Sequence, residues 1–541
     1  MDKTAEKIIT RYDELQSDKG TLLSHLQEIG DYGLPTFQSM RTKPQMGSKK
    51  MQKIFSSTVI FCHTVWTNGL CGLLTPESYP WFEITTKRRD LADIPNVKRW
   101  LSYTSEVMRS TINTSNAQAA LKCMYGSLGF AGCGCNYTEE GRTNILNFQN
   151  FSIANVCIEE GPEGTVDTVY RMSKFSARNC KAIWGDKCSD DIDKAMEKEP
   201  GKEFEILHCV KPRGEYDSRK MDARSMPYAN FYIEKANGNI LEEGGYHEFP
   251  YQFPRLAPAE DEPYGSTSPA REALAEVKML NQMRYDGIKA RQKRNDPPLA
   301  ARKESLSTTR TTPGSVIFYT GDKPPELLQL AGDTRADIEG ENASKEEIKQ
   351  IFFTDLFLLF AQLDHTNMTI PEVRERLEEK LELLGPMLGS LKVELFNPML
   401  NRSFWIMYRK GYIPPAPKEL IGEGLEIEYT SKLAMAMKKV ETKATADTVA
   451  FVGGMGQIAP DVFDNFDTDE IAVGTAQRNG MPVKYMRSPD EVGKIRQARA
   501  QAQQKAQEDQ AMRDMAAHAP GLAKAPEEGS PLQALMGGQQ Q

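Results

Sequence analysis

Long apolar runs are missing from this chain. The most apolar stretch, Leu356-Phe357-Leu358-Leu359-Phe360-Ala361, is far shorter than the roughly 18 residues that cross a bilayer. Cysteine is sparse: nine in 541 residues are too few for a disulfide scaffold, and none of their spacings makes a strong zinc motif. The six histidines (His25, His63, His208, His247, His365, His518) lie scattered without triad-like context. There is no phosphate-binding Gly-x-x-x-x-Gly-Lys-[Ser/Thr] loop, which removes a visible ATPase, and neither a nucleophile elbow nor a zinc-protease helix motif. A basic surplus is also lacking: 67 Lys and Arg face 75 Asp and Glu, a formal charge of -8. Proteins that hold nucleic acid by neutralising phosphates carry the opposite balance, so a tight general grip on DNA is disfavoured, though contact without grip is not. The opening Met1-Asp2-Lys3-Thr4-Ala5-Glu6 reads as a charged helix start rather than an apolar leader, and assembly in a reducing cytoplasm is expected.

What is present is an ordered change of texture. A prior of about 150 residues per domain allows three or four modules. Ile8, Ile9, Tyr12, Leu15, Leu22, Leu26 and Ile29 recur at helical spacing; Val59 to Leu74 reads as an apolar helix stopped by Pro76, and a further helix is expected over about Ile94–Met124. From Gly126 to Tyr251 short β-forming runs alternate with turns: Asn144–Ile153, Thr165–Arg171, Phe204–Lys211, Tyr228–Glu234 and Asn239–Tyr246, with Asn237-Gly238 as a hairpin signal and a small helix around Ser176–Trp184. Ser268-Pro269 then announces a helix, Ser as N-cap and Pro at the first helical position. That helix ends in a basic cluster and breaks at Asp296-Pro297-Pro298. An insertion carrying the strand Ser315–Tyr319 follows. Ser344 with Glu347 forms a capping box for the next helix, and Thr369 with Glu372 for a long one that Pro386 and Pro398 should kink. An extended connector over 414–430 leads to a helical module and an Ala/Gln-rich, then Pro/Gly-rich, tail.

Few residues carry candidate chemistry. Cys133-Gly134-Cys135 lacks a matching second pair beyond His208-Cys209, and two small buried residues at a strand start explain it better than a metal. The acidic run Asp461, Asp464, Asp467, Asp469 lacks the central Gly of a calcium loop and reads as helix capping. No metal, cofactor or catalytic residue is assigned. The basic cluster Lys289, Arg291, Lys293, Arg294, continued by Arg302, Lys303 and Arg310, either complements a helix dipole or touches phosphate or an acidic partner. The polar loop Asp364-His365-Thr366-Asn367-Met368-Thr369 sits between the most apolar helix and the longest one, where a loop can do work.

An ordered set of stretches resembles the head-to-tail connecting (portal) proteins of short-tailed bacteriophages. The stretches are Pro263-Tyr264-Gly265-Ser266 into Ala270–Leu280 and Asp296-Pro297-Pro298-Leu299; Pro313–Tyr319; Thr369–Leu384 into Gly385-Pro386; Arg409–Pro417; and Pro460–Arg499. The resemblance covers about residues 50–505. It implies an α+β, mainly helical chain of wing, stem, clip and crown that assembles as a dodecameric ring around a channel. By that analogy 1–267 is the N-terminal wing (β-rich over 126–251), 268–294 and 336–363 the stem helices, 295–335 the clip, and 364–372 the DNA-facing tunnel loop. The long wing helix and connector take 373–430, the crown 431–507, and a disordered tail 508–541. The basic cluster becomes a local collar near the clip. A stem helix of about 26 residues spans about 39 Å. Implied partners are other copies of the chain, double-stranded DNA without sequence specificity, the large terminase, a tail adaptor, and capsid or scaffold proteins. No membrane is implied. The implied place is the portal vertex of the virion, reached from the host cytoplasm. An acidic ring would let DNA slide. The alternatives from other classes are a DNA-acting enzyme or regulator with a β-rich catalytic domain, for which no carboxylate or histidine cluster is found, and an internal scaffold or ejection protein, against which the compact β region argues.

Overall fold

The computed structural model describes residues 2–41, 47, 49–77, 79–92, 94–141, 143–216, 222–259, 262–295, 299–300, 326–327, 334–362, 385–430, 469, 471–472 and 489–522. The chain forms two compact units, one of Met1–Lys87 with Trp100–Ala446 and one of Arg88–Arg99 with Asp447–Gln541.

The first unit is built on antiparallel sheets. Strands β4 (Val156–Glu160), β5 (Val166–Ser176), β6 (Glu203–Pro212), β7 (Tyr228–Glu234) and β8 (Asn239–Tyr246) pair in chain order. Period-two alternation sorts their side chains onto two faces. Helix α1 (Lys3–Asp18) lays Ala5, Ile8, Ile9 and Tyr12 on the face of Tyr170, Leu207, Cys209 and Phe231. On the other face α7 (Ala177–Trp184) and α8 (Asp190–Lys198) bury Cys180, Trp184 and Ile192 against Ile206 and Leu241. Ser176 caps α7 by accepting from the Asn179 N–H, and Gly238, at φ 69°, turns the β7–β8 hairpin where the sequence placed it. Beside this sheet lies a three-stranded one, β3 (Leu146–Phe151), β2 (Cys135–Glu140) and β9 (Tyr251–Gln252).

A polar seam joins the two sheets. His208 on β6 is fully buried; its Nε2–H donates to Asn230 Oδ1 (2.7 Å) and its Nδ1 accepts from the Tyr251 hydroxyl (2.5 Å). Tyr232 stacks on the ring at 4.2 Å. The Arg171 guanidinium lies over Phe151 at 4.1 Å and Tyr137 at 5.4 Å. Burial first, then the Arg171 charge, holds the imidazole neutral and its pKa well below the usual histidine value. Cys133 and Cys135 are buried at the start of β2, and burial pushes the Cys133 thiol up to about 12. Among the described residues no group of three or more His, Cys, Asp or Glu could hold a metal ion.

Two helices expected to be continuous are divided. The N-terminal periodicity is α1 and α2 (Gly20–Tyr32), with Lys19 between them; its buried ammonium donates to Ile153 O (2.9 Å) and Val156 O (2.6 Å), tying the joint to the sheet. The helix expected over Ile94–Met124 is α5 (Pro95–Thr114) and α6 (Ala117–Ala131), following the short α4 (Arg89–Ala92). Asn116 causes this break. Its side-chain amide donates to Phe148 O (2.7 Å) and accepts from Phe148 N–H (2.9 Å), copying a strand partner for β3. A two-stranded ribbon missed in the sequence pairs β1 (Phe82–Thr86) with β12 (Leu425–Tyr429).

The second unit, where described, holds α4, the start of α5 and the helix α14 (Pro489–Leu522), named last in chain order. Asp469 accepts a two-point contact from the Arg496 guanidinium (2.6 and 2.7 Å). Helix α14 continues past residue 507, into the segment whose first half could be helical, because Ala, Gln, Met and Arg there are strong helix formers. Asp461, Asp464 and Asp467 lie outside the described residues.

Candidate stem hairpin and its joint

The candidate site begins at Ser268. Its hydroxyl accepts from the Arg271 N–H (3.1 Å) and donates to Phe130 O (2.8 Å), so the N-cap also anchors the helix to α6. Pro269 opens a turn, α9 (Pro269–Glu272), that runs into α10 (Leu274–Asn295) through the Val277 N–H to Ala273 O bond of 2.9 Å. The expected break at Asp296-Pro297-Pro298 lies outside the described residues. Over its first two turns α10 is buried through Leu274, Val277 and Leu280. Asn281 marks the exit: its side chain accepts from the N–H groups of Phe55 and Ser56 and donates to Tyr32 O.

Beyond Asn281 the helix is flanked by α11 (Thr334–Ile351). Gly340 of α11 admits the Met283 side chain, and Glu341 sits between Arg284 of α10 (3.4 Å) and Lys345 (3.5 Å). Apolar side chains on both helices face solvent, from Met279 (41% exposed), just before Asn281, to Tyr285 (37%), Ile288 (44%) and Ile338 (48%). Of the basic cluster, Lys289 lies 4.0 Å from the Tyr285 ring centre and Arg291 is exposed, while Lys293 and Arg294 are placed on α10 by backbone alone. Arg302, Lys303 and Arg310 lie outside the described residues, as do Asp364, His365, Thr366, Asn367, Met368 and Thr369.

Helix α11 corrects one expectation. Ser344, expected to cap it, is buried within it, because the charged, helix-forming stretch from Thr334 continues the helix upstream. The helix instead ends at Phe352-Phe353. Phe353 holds φ at 51°, an outlier for a bulky residue, and α12 (Thr354–Gln362) starts in a new direction. Aromatic packing enforces this joint. Trp66 of α3 (Thr58–Leu74) donates to Tyr125 O (3.1 Å) and faces Phe353 at 6.2 Å and Phe357 edge-on at 5.9 Å. Phe357 fills the space above Gly69, where an added Cβ would stand 2.3 Å from its ring. Sequence periodicity saw the apolar positions here but not the break, since both halves share one apolar stripe.

At the far end of the long-helix segment, a π-turn over Lys392–Phe396 precedes α13 (Asn397–Arg409). Pro398 explains it: a proline ring collides with the carbonyl four residues earlier, and a widened turn makes room. Glu394 of that turn receives the buried Arg255 guanidinium (Nε 3.0 Å, Nη2 2.5 Å), which also pairs with Glu160. The π-turn is thereby locked to the sheet.

A family model described as bacteriophage head to tail connecting protein matches residues 5–486. The chain belongs to that family. Head-to-tail connector relatives include the portal protein of Salmonella phage epsilon15, 29% identical over 516 residues, with 93% of this chain and 92% of that protein aligned. The probable portal protein of Bordetella phage BPP-1 is likewise 29% identical over 514 residues, with 93% and 92% aligned. A chain from the virion of a native gene transfer agent particle aligns over 75% of this chain at 10% identity, but its TM-score of 0.34 is too low to carry an argument. The connector is thus a phage structural protein, and among its described residues no helix is long and apolar enough to cross a membrane.

Proposed function

We propose that copies of this connector form a ring at the portal vertex, with the α10–α11 hairpin as channel wall and 364–372 as the loop that meets DNA. The observation that carries the reading is the hairpin itself. One chain leaves Met279, Tyr285, Ile288 and Ile338 exposed on two helices that pack against each other. Neighbouring copies are the natural cover for such a hairpin, and heterologous contacts of this kind close into rings. The genome passes during packaging and ejection, the clip at 295–335 docks the large terminase and then the tail adaptor, and 431–507 makes the crown. The chain supplies no chemistry of its own; the packaging motor is a separate protein. A net charge of -8 per copy gives a conduit through which DNA slides.

Negative-stain images and mass photometry of the purified full chain test this. Rings of one uniform copy number are expected; only monomers and dimers at micromolar concentration sink it. Replacing Thr366, Asn367 and Met368 by glycine should leave rings intact and impair packaging or DNA retention.

A further inference from the structure

The two edges of the β1–β12 ribbon are finished differently. On the β1 side Ser105 Oγ accepts from the Ile84 N–H (2.8 Å) and Arg109 Nη1 donates to Phe82 O (3.2 Å), so side chains of α5 satisfy that edge. The same alternation fixes the other side. Thr430 N–H donates to Trp81 O (3.0 Å), which puts Glu83 with Glu428 and Thr85 with Glu426 in ladder-bonded pairs. Leu425, Ile427 and Tyr429, between them, turn their N–H and C=O groups away from β1. Among the described residues no strand pairs with that edge.

An apolar groove lies alongside. It has a volume of about 790 Å³ and runs between the ribbon and α13, lined by Phe82, Ile84, Trp100, Leu400, Phe404 and Ile427. Its rim is mixed: exposed Val393 (56%) and Trp405 (40%) stand with Lys87, Lys392 and Glu426. The ribbon is supported by the helices it packs against, so a further strand is not needed for its stability; what the β12 side offers, among the described residues, is outward main-chain groups that face no strand, next to the groove. We propose that the β12 edge and this groove together dock one extended strand from another polypeptide, apolar at alternate positions with Lys or Arg between them. Main-chain bonds to Leu425, Ile427 and Tyr429 hold it, and its inward side chains fill the groove.

Charge selects the occupant. Glu426 stands on the exposed face of β12, and opposite charges across a strand pair are favourable while like charges are not. Of the basic groups beside the groove, Lys392 lies over the Tyr429 ring and Lys87 packs by Gly424 at the ribbon end. The outer strands of this chain's own five-stranded sheet carry Glu159 and Glu160 on β4 and Glu242 and Glu243 on β8, which disfavours a second copy as the donor.

The test uses the full-length chain and a fluorescent octapeptide of alternating Val and Lys, against the same residues in blocks and an alternating Val/Glu peptide. The Val/Lys peptide should bind best. Ile427→Pro removes an outward N–H while sparing the β1 ladder, and should weaken binding at least about fivefold. Glu426→Lys should reverse the preference between the Lys and Glu peptides without altering the thermal transition. Hydrogen exchange should slow at Ile427 only when the peptide is present. Equal binding of alternating and blocked peptides, unchanged binding by both variants, or a slow Ile427 amide in the free protein each overturns the proposal.

Discussion

The β-rich body and the α10–α11 hairpin treat long polar side chains in opposite ways. In the body Lys19, Arg255 and Arg402 are buried, and each is met by groups of its own chain: Lys19 by two carbonyls, Arg255 by two carboxylates, Arg402 by Thr138 O (2.6 Å) and Glu248 O (2.9 Å). On the hairpin Lys289 and Arg291 face solvent beside exposed Tyr285 and Ile288. These three buried cations are answered within one chain. The hairpin exposes apolar and charged groups together, which suits the assembly proposed for it. On the proposed reading, the difference assigns assembly to the hairpin and much of the stability to the buried clamps of the body.

The sharpest way to break that contrast is at Arg255. Truncation to Ala leaves Glu394 and Glu160 facing each other without their cation, and removing one partner of a buried pair costs about 3–5 kcal/mol. Denaturant unfolding should show this loss. Adding Glu394→Gln should recover part of it; strict additivity of the two changes would deny that the residues act together. His208 should make the body's stability depend on pH. Its folded pKa is depressed, so the unfolded chain binds more protons below about 6.5, the ordinary histidine value. Stability is therefore full above that value and falls as pH drops, by up to about 1.4 kcal/mol per unit. Midpoints measured from pH 7.5 to 5 should flatten in His208→Gln.

Two glycines put the contrast on equal terms. In the body Gly69→Ala forces a methyl into the Phe357 ring, and overpacking of this kind costs about 1–3 kcal/mol. In the hairpin Gly340→Ala meets Met283 at 3.7 Å, an ordinary contact, and relief of mid-helix glycine entropy should stabilise by about 0.5–1 kcal/mol. Thermal midpoints moving in the same direction would show that hairpin and joint are packed alike.

Legibility followed the range of the interaction. Ser268-Pro269, the Asn237-Gly238 turn and strands β7 and β8 were readable because propensity, capping and alternation are local. The breaks at Asn116 and Phe353 were not, since one depends on a strand edge 32 residues away and the other on Trp66 and Phe357. Strand β1 was missed for the same reason: its partner β12 lies at the other end of the unit. The polar loop 364–369 and Arg302, Lys303 and Arg310 were marked by composition and family likeness, while the hairpin contact through Glu341 had no local signal beyond helical spacing.

The smallest expected effect is also the most discriminating. Glu341 is only 16% exposed, but Arg284 is 35% exposed and their contact is 3.4 Å long. Half-exposed pairs of this kind are worth about 0–1 kcal/mol, so Glu341→Gln should shift the monomer's stability by about 0.5 kcal/mol or less, and less still at high salt. If neighbouring copies cover the hairpin, the same contact loses water and its removal leaves Arg284 and Lys345 as uncompensated cations inside an interface. The variant should then fold normally yet assemble at higher protein concentration. Native-like assembly with a destabilised monomer would place Glu341 with the body's clamps instead, and the line between the two regions would have to be drawn further down the hairpin.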